Sequence, residues 1–482
     1  MLKKIDPDII KGYLEDSSNM IGGFAEGLYI PENDAEVREI LLECQAKSTP
    51  LTVSAAQTGT TGGCIPFGGW ILTTQKLDKI LNIDEKARLM TIQPGISLEQ
   101  IDLALQKRHL LYPPDPTEKK ATIGGNISTN ASGGRCYRFG ATRDWIKRLR
   151  IQLLNGETLD IKRGEKVLGS RFDVNELLKD PQYQTPNIKC SAGYYSRPNM
   201  DLIDLFIGSE GTLGVITEVD IGLYPAFVEI FDLVAFFASE EKAVDFVLTT
   251  KRSNQLSTQP PINQTTNFYE FFDENTLQML RPAYPHIPAD AKAAIYVEEE
   301  LNEINQQTYF DDWSARLEKY GVVLEDCWLG ITSKQKEELA KFRHAIPEHI
   351  NELFKLHHQT KIATDIAVPE DKFLEMFDYY TLELSTSNLF YIKFGHIGDN
   401  HLHVNLLARE EKDLTLAQAL VLKFIKKAVS LGGTASAEHG IGKLKVNYLK
   451  EMYSKKALDQ MLHVKKHFDP KLILGKGNLF NS

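Results

Sequence analysis

Three histidines and an aspartate crowd the segment GHIGDNHLHVN (Gly395–Asn405): His396, Asp399, His401 and His403. A second polar spot, SAEHGIGKLK (Ser436–Lys445), sets Glu438 beside His439. Imidazole and carboxylate donors suit zinc, iron or manganese. An imidazole that titrates near neutrality equally suits proton transfer. The residue types leave both readings open, a metal site or an acid–base site. His401 and His403 are two positions apart and would share one face of a strand. For His396 to reach His403 the chain must turn, and Gly398-Asp399-Asn400 supplies the turn.

Three other segments are dense in small residues: Gln57–Gly63 (QTGTTGG), Thr122–Gly134 (TIGGNISTNASGG) and Gly208–Gly214 (GSEGTLG). Such residues let the backbone approach a ligand and turn its N–H groups toward phosphate oxygens. A strand running into such a loop makes a pyrophosphate cradle. None of the three is a GxGxxG opening a helix in a βαβ unit, so a Rossmann nucleotide fold is disfavoured.

These segments need elements to hold them. Residues 33–47 start with an Asn/Asp cap and carry Val37, Ile40, Leu41 and Cys44 at helical spacing. The run LTVSAA that follows reads as a short strand leading into the first glycine-rich loop. Ser97 caps a second amphipathic helix over 97–108, and 146–161 alternates about an Asn-Gly turn as a β-hairpin. Residues 160–200 are polar and irregular and read as an insertion or lid; 213–224 read as a strand, and 254–267 as a polar linker. From 226 onward strands and long helices alternate. The pattern is α+β, in two regions that divide near 225.

A chain of 482 residues suggests two or three domains. Asp and Glu outnumber Lys and Arg by 65 to 55, a net charge of -10, which argues against nucleic acid as a partner. The five cysteines, Cys44, Cys64, Cys136, Cys190 and Cys327, form no CxxC pair, so reduced thiols are expected rather than disulfides or an iron–sulfur cluster. The first residues lack the apolar run of a signal peptide, and no stretch of about 20 apolar residues could span a membrane. The expected location is cytoplasmic, with peripheral attachment to a membrane left open.

The order of these motifs resembles the vanillyl-alcohol oxidase / p-cresol methylhydroxylase FAD superfamily, in its D-lactate, glycolate and D-2-hydroxyglutarate dehydrogenase branch. There the first loop reads roughly PRGGGTSLTGGAVP, the second PPDP followed by TIGGNIATNAGG, and the third LFIGSEGTLGIITE. Here they are AAQTGTTGGCIP, PPDPTEKKATIGGNISTNASGG and LFIGSEGTLGVITE. The resemblance implies a two-subdomain PCMH-type FAD-binding domain (1–225), an antiparallel-sheet cap or substrate domain (226–430), and a C-terminal segment (431–482) returning to the FAD domain. Thr58, Gly59, Thr60, Thr61, Gly62 and Gly63 would hold the FAD pyrophosphate. Pro114, Thr122, Gly124, Gly125, Asn126, Gly134, Gly140 and Ile216 would line the isoalloxazine and adenosine. Some relatives tether the flavin through a histidine of the first loop; here Gln57 and Thr58 stand instead, which implies non-covalent FAD.

In the same branch the histidine motifs read GHxGDGNLHxN and SAEHGIG. Carried over, His396, His403 and Glu438 would ligate a divalent metal, His439 would be the base beside the flavin, and Asn405 a contact to substrate or to the metal ligands. Asn400-His401 replaces the usual Gly-Asn, which makes His401 an extra imidazole. FRHAIPEHI (Phe342–Ile350) resembles the segment whose arginine grips the substrate carboxylate, here Arg343. The hydroxyglutarate branch continues with K-x-D-x-S-x-P, but Ala363 occupies the lysine position, with Lys361 nearby.

The implied activity is oxidation of a small D-2-hydroxy acid of the D-lactate or glycolate type to its 2-oxo acid. Hydride would go to flavin N5, and electrons to an external acceptor: a quinone, an electron-transfer flavoprotein or an iron–sulfur subunit. A homodimer is compatible. The alternatives are a D-2-hydroxyglutarate-type dehydrogenase or a peroxide-forming oxidase on the same fold, a non-redox ether-lipid synthase, against which the retained HxGD and EHG motifs weigh, and a flavin-binding electron-transfer or scaffold subunit without chemistry of its own.

Overall fold

A computed structural model describes residues 2–168, 172–173, 178, 180–255, 265–301, 306–356 and 362–480. The chain divides into two compact units: residues 1–132, 141–226 and 434–482 form the first, and 133–140 with 227–433 the second.

In the first unit the helix Asp34–Lys47 starts where the Asn33 side chain accepts the Glu36 N–H, and it buries Val37, Ile40, Leu41 and Cys44. That stripe packs with Leu51, Leu72, Leu77, Leu154 and Leu474. The strands beside it, Gly27–Ile30, Trp70–Thr73 and Leu51–Ser54, are parallel, and Leu2–Lys4 adds an antiparallel edge. A second sheet is wholly antiparallel, in the order Ile80–Asp84, Leu89–Ile92, Val215–Gly222, Ile146–Gln152 and Thr158–Lys162. Its last two strands are the hairpin anticipated about Asn155-Gly156, with Gly156 at φ +79. The helix Leu98–Gln106 opens on a reciprocal Ser97–Gln100 capping box and buries Leu98, Ile101 and Leu105. The last segment of the chain pairs with the strand Leu51–Ser54: the Leu51 N–H donates to Ile473 at 2.8 Å, and the Gly475 N–H to Leu51 at 2.9 Å.

The reading of 160–200 as an insertion or lid is corrected over its described residues. Tyr183, Ala192 and Tyr194 belong to the main core of the first unit, and Tyr194 is fully buried. The polar side chains that made the stretch look like a surface loop are used internally. Ser191 Oγ donates to Ala437 O at 3.2 Å, Ser196 Oγ to Tyr183 O at 3.1 Å, and Tyr194 Oη bonds Thr212 Oγ1 at 2.6 Å. Residues 169–171, 174–177 and 179, and most of the expected linker (256–264), lie outside the described residues.

The second unit is one seven-stranded antiparallel sheet in the order Trp328–Gly330, Glu229–Phe237, Ala293–Leu301, Thr266–Asp273, Phe390–Gly395, His401–Leu407 and Ile366–Ala367. Both faces are covered, so Thr266–Asp273 is buried at every position. Phe272 packs on Phe342 of the helix Ser333–Leu356, while its neighbour Phe271 meets Phe377 of the helix Phe373–Ser387 on the opposite face. The short piece 133–140 sits on this sheet: Tyr137 stacks edge-on against Tyr269 at 5.3 Å, and Arg135 makes two bonds to Glu298, at 2.8 and 3.0 Å.

Candidate functional site

In the first unit the strand Leu51–Ser54 runs into the first glycine-rich loop. Among the described residues the backbone N–H groups of Thr58, Gly59, Thr60, Thr61 and Gly63 donate to no protein acceptor. A run of uncommitted N–H groups is what a phosphate requires. A Cβ added at Gly59 would meet nothing nearer than 4.0 Å, so the loop has room above it. Gln57, at φ +59, is turned away and donates to the carbonyls of Gly12 at 2.9 Å and Glu15 at 2.8 Å.

The second segment is a helix, Ile123–Thr129, capped by Thr122, whose side chain accepts the Gly125 N–H. Gly124 lies against Pro94, where a Cβ would come within 2.6 Å, and Gly125 faces Ala55 at 3.6 Å. Asn126 is buried, and its Nδ2 has no partner among the described residues. The third segment closes on the second: Gly208 N–H donates to Ile127 O and Glu210 N–H to Ser128 O, both at 2.8 Å. A Cβ at Gly211 would lie 3.5 Å from Val53. All three segments therefore meet at the end of one strand. The uncommitted N–H groups, the orphaned Asn126 amide and the open space at Gly59 fit the phosphates and ring of a flavin dinucleotide. Pro114 is buried in the same unit, and Ile216 packs against the core that holds Ile123 and Ile127. Gly134 and Gly140 fall in the second unit.

The motif SAEHGIGK meets the same loops. The Glu210 carboxylate accepts the Ile441 N–H at 2.7 Å and the Gly442 N–H at 2.6 Å. Burial pushes its pKa up to about 7, against the pull of those two N–H groups and of Lys443 and Lys445. Lys443 Nζ reaches the carbonyls of Gly62 and Gly63 and, at 2.7 Å, Asn478 Oδ1; burial draws its pKa down to about 8. Gly442 has φ +52, and a Cβ there would stand 2.2 Å from Thr61 O. His439 is half-buried, with its carbonyl 3.5 Å from Thr61 Oγ1 and its Nε2 3.6 Å from Glu438 Oε1. Glu438 Oε2 accepts from Ser132 Oγ and lies 2.8 Å from Nζ of Lys189, whose side chain is only 2% exposed.

In the second unit the strands Phe390–Gly395 and His401–Leu407 are joined by the tight turn Ile397–Asp399, with Asn400 left-handed at φ +55. Lys251 Nζ braces that turn through Gly398 O at 2.8 Å and Asn400 Oδ1 at 3.2 Å. Alternation then puts His401, His403 and Asn405 on one face. Ring centroids are 4.4 Å apart for His401 and His403, 5.3 Å for His396 and His401, and 5.6 Å for His396 and His403. Two of the rings have a nitrogen hydrogen-bonded from outside the cluster, His396 Nδ1 with Glu270 Oε1 at 2.8 Å and His403 Nδ1 with Thr364 O at 3.4 Å, while His401 Nε2 lies 3.1 Å from Asp365 Oδ1 without hydrogen-bond geometry. Asn405 is buried, and neither its Oδ1 nor its Nδ2 has a partner among the described residues.

Arg343 is no exposed helix arginine. Its side chain is 11% exposed, its Nη2 lies 2.7 Å from Glu270 Oε1, and its guanidinium lies 5.0 Å from the centre of the Phe268 ring. A Cβ on Gly134 would come within 2.7 Å of both Arg343 Nη2 and Glu270 Oε1, so the guanidinium packs directly on that backbone. One carboxylate oxygen thus joins the expected substrate arginine to an expected metal ligand.

Glu270, Lys189, Asp365, Glu210 and Lys443 carry roles that the sequence reading did not assign. Glu270 had a signal, since a charge between aromatics in NFYEFFD must be partnered if the strand is buried. Lys189 had none, because it stands in a polar stretch with no periodicity. Lys361, the neighbour of Ala363, lies outside the described residues.

The family model of the FAD linked oxidases, C-terminal domain, matches residues 233–479, and that of an FAD binding domain matches 25–162. The glycolate oxidase subunit GlcD of Bacillus subtilis is 30% identical over 475 residues, covering 97% of this chain and 92% of that protein. A D-lactate dehydrogenase of Anaerostipes hadrus is 30% identical, with 92% and 87% covered. A D-2-hydroxyglutarate dehydrogenase of Xanthomonas citri is 27% identical, with 94% and 89% covered. A solved structure of alkyldihydroxyacetonephosphate synthase aligns at TM-score 0.67 with 14% identity, over 98% of this chain and 81% of that one, a likeness of fold.

Proposed function

The chain belongs to the FAD-linked oxidases and is an FAD-dependent oxidoreductase of the group that holds the glycolate, D-lactate and D-2-hydroxyglutarate dehydrogenases, and on that premise we propose that it oxidises a small D-2-hydroxy acid to the 2-oxo acid. The observation that carries this reading is the line Arg343–Glu270–His396, which sets a guanidinium beside a cluster of imidazoles. A 2-hydroxy carboxylate needs both: a fork for its carboxylate and polar groups around its hydroxyl.

Arg343 grips the substrate carboxylate, whose oxygens share or displace the bond from Glu270. His439 takes the hydroxyl proton on its imidazole, and the neighbouring Glu438 carboxylate favours the resulting imidazolium. Asn405 brings an uncommitted amide that can hydrogen-bond an oxygen of the substrate. FAD, held by Thr58–Gly63, Thr122–Asn126 and the third loop, supplies the two-electron acceptor for the hydrogen leaving carbon. With Gln57 committed to two backbone carbonyls, the flavin is held without a covalent tether. The chemistry of the donors also fits a divalent ion, zinc, iron or manganese, on His396, His403 and Glu438; it would supply Lewis-acid polarisation of an oxygen. Glu438 is joined to that pair on the strength of its motif.

Ala363 favours lactate or glycolate over hydroxyglutarate. It bridges Asn405 in the sheet and puts a methyl where the longer substrate's branch carries a cation. Electrons then leave to an external acceptor, a quinone, an electron-transfer flavoprotein or an iron–sulfur subunit. Among the described residues no helix is long and apolar enough to cross a membrane.

The test is anaerobic reduction of the bound flavin by a panel of D- and L-2-hydroxy acids, before and after chelation. Bleaching by a short D-hydroxy acid that chelation slows is the expected result. A bound flavin that no member of the panel reduces, with or without added metal, would remove the dehydrogenase reading.

A further inference from the structure

His401 stands where the resembling motif carries asparagine, so the role expected of His396 and His403 does not account for it. It is fully buried, on the same strand face as His403. One nitrogen from each of His396, His401 and His403 lies within 4.8 Å of the other two. Ligands of one tetrahedral zinc, at about 2.0–2.1 Å from it, stand about 3.4 Å apart, and rotation about side-chain bonds spans that difference.

A carboxylate or carbonyl oxygen lies beside each of the three rings. A metal-bound imidazole characteristically engages its second nitrogen with a carboxylate or a backbone carbonyl, which fixes the tautomer and aims the other nitrogen at the ion. His396 does so with Glu270 and His403 with the carbonyl of Thr364; His401 Nε2 lies 3.1 Å from Asp365 Oδ1, close enough for the same pairing once the ring turns, but without hydrogen-bond geometry as it stands. A fully buried imidazole kept only for packing needs no carboxylate beside it and no two further imidazoles in front of it. The turn is also built for convergence. Asn400 takes the left-handed conformation, and Gly395, at φ +130, leaves a Cβ position only 3.0 Å from the His403 ring.

We propose that His401 is a metal ligand, so that the second unit alone offers a three-imidazole site with Asp365 as the carboxylate behind its additional ring. The inference rests on the reading that a divalent ion binds here at all. Its consequence is chemical selection. Imidazole donors suit zinc and iron, whereas manganese prefers oxygen, so a third nitrogen tilts the site away from manganese and toward zinc.

The experiment is zinc binding to the full-length flavoprotein after chelation and dialysis. Affinity is read by competition with a chromogenic chelator, and coordinated imidazoles are counted by X-ray absorption at the zinc edge. The unaltered chain is expected to bind one zinc through three imidazoles. H401N, which restores the usual asparagine, is expected to show two imidazoles, an affinity about 10- to 100-fold lower and a smaller preference for zinc over manganese. H439N is expected to keep all three, which assigns the count to the cluster even if H401N fails to fold. Two imidazoles in the unaltered chain, with affinity unchanged in H401N, would overturn the inference and leave the metal reading standing. Failure of the unaltered chain to bind zinc would overturn both.

Discussion

In the first unit the groups proposed to hold the flavin are main chain: the N–H groups of Thr58, Gly59, Thr60, Thr61 and Gly63 and the glycines that let three segments approach one strand end. In the second unit the groups proposed to hold substrate or metal are side chains, and most have a group behind them: Glu270 behind His396 and Arg343, a carbonyl behind His403, and Asp365 Oδ1 3.1 Å from His401. A site made of backbone tolerates many side chains but few added carbons. A site made of side chains tolerates backbone variation but not the loss of a supporting charge. The two units should therefore fail in opposite ways.

The strongest break falls on the second unit. Glu270→Ala leaves Arg343 and His396 buried without their shared carboxylate, and removal of one partner from a buried ion pair costs about 3–5 kcal/mol. Thermal unfolding should register this in full, whereas Glu270→Gln, which keeps an acceptor oxygen, should lose less. Equal losses in the two variants would mean that the charge is immaterial. Gly442→Ala probes the first unit. It asks a residue with a Cβ to hold φ +52 and to stand 2.2 Å from Thr61 O, about 3 kcal/mol from left-handed strain and overpacking together. Flavin content per chain should fall with stability, because the displaced strand of backbone is the loop itself.

A smaller effect comes from pH. The Glu210 pKa is raised to about 7 from an ordinary 4.5, so the folded flavin-free chain holds that proton longer than the unfolded one. Stability from this group is complete below about pH 4.5 and declines as pH rises to about 7, by up to about 3 kcal/mol. Lys443 acts in a separate window above its value of about 8. Denaturant titrations at pH 5 and pH 7.5 should differ in the parent chain, and that difference should shrink in Glu210→Gln by the share of this group, the buried carboxyls Asp232, Asp273 and Glu299, also raised, supplying the rest. The smallest change in stability is expected for Gly59→Ala, within about 0.5 kcal/mol, since its Cβ meets open space. The same methyl intrudes on the cradle and should weaken FAD binding. A variant with unchanged melting and unchanged flavin affinity would show that this loop does not hold the phosphates.

Much of the local structure is legible in the sequence because its causes are local. Asn33 and Ser97 cap the helices that follow them, Asn155-Gly156 turns a hairpin, and the spacing of His401 and His403 places both on one strand face. What escapes has distant causes. Glu270 acquires its role from His396, which lies 126 residues further along the chain. Lys189 acquires its role from Glu438, in a stretch whose polar composition describes a surface loop while its serines bond inward. Nothing in residues 133–140 marks them as part of the second unit, because the bonds that place them, from Arg135 to Glu298 and from Arg138 to Asn267, require a sheet that has yet to be made.

The first unit is closed by residues that leave the ribosome only after the whole of the second unit. Leu51 waits for Ile473 and Gly475, Glu210 waits for Ile441 and Gly442, and the main core is incomplete without Met461, Val464 and Phe468. At about 5–20 residues per second, the synthesis of 227–433 holds that half-built core open for a time on the order of tens of seconds. During that interval the strand Leu51–Ser54 lacks its last neighbour, and the nascent chain is at its most vulnerable to pairing with another copy of itself.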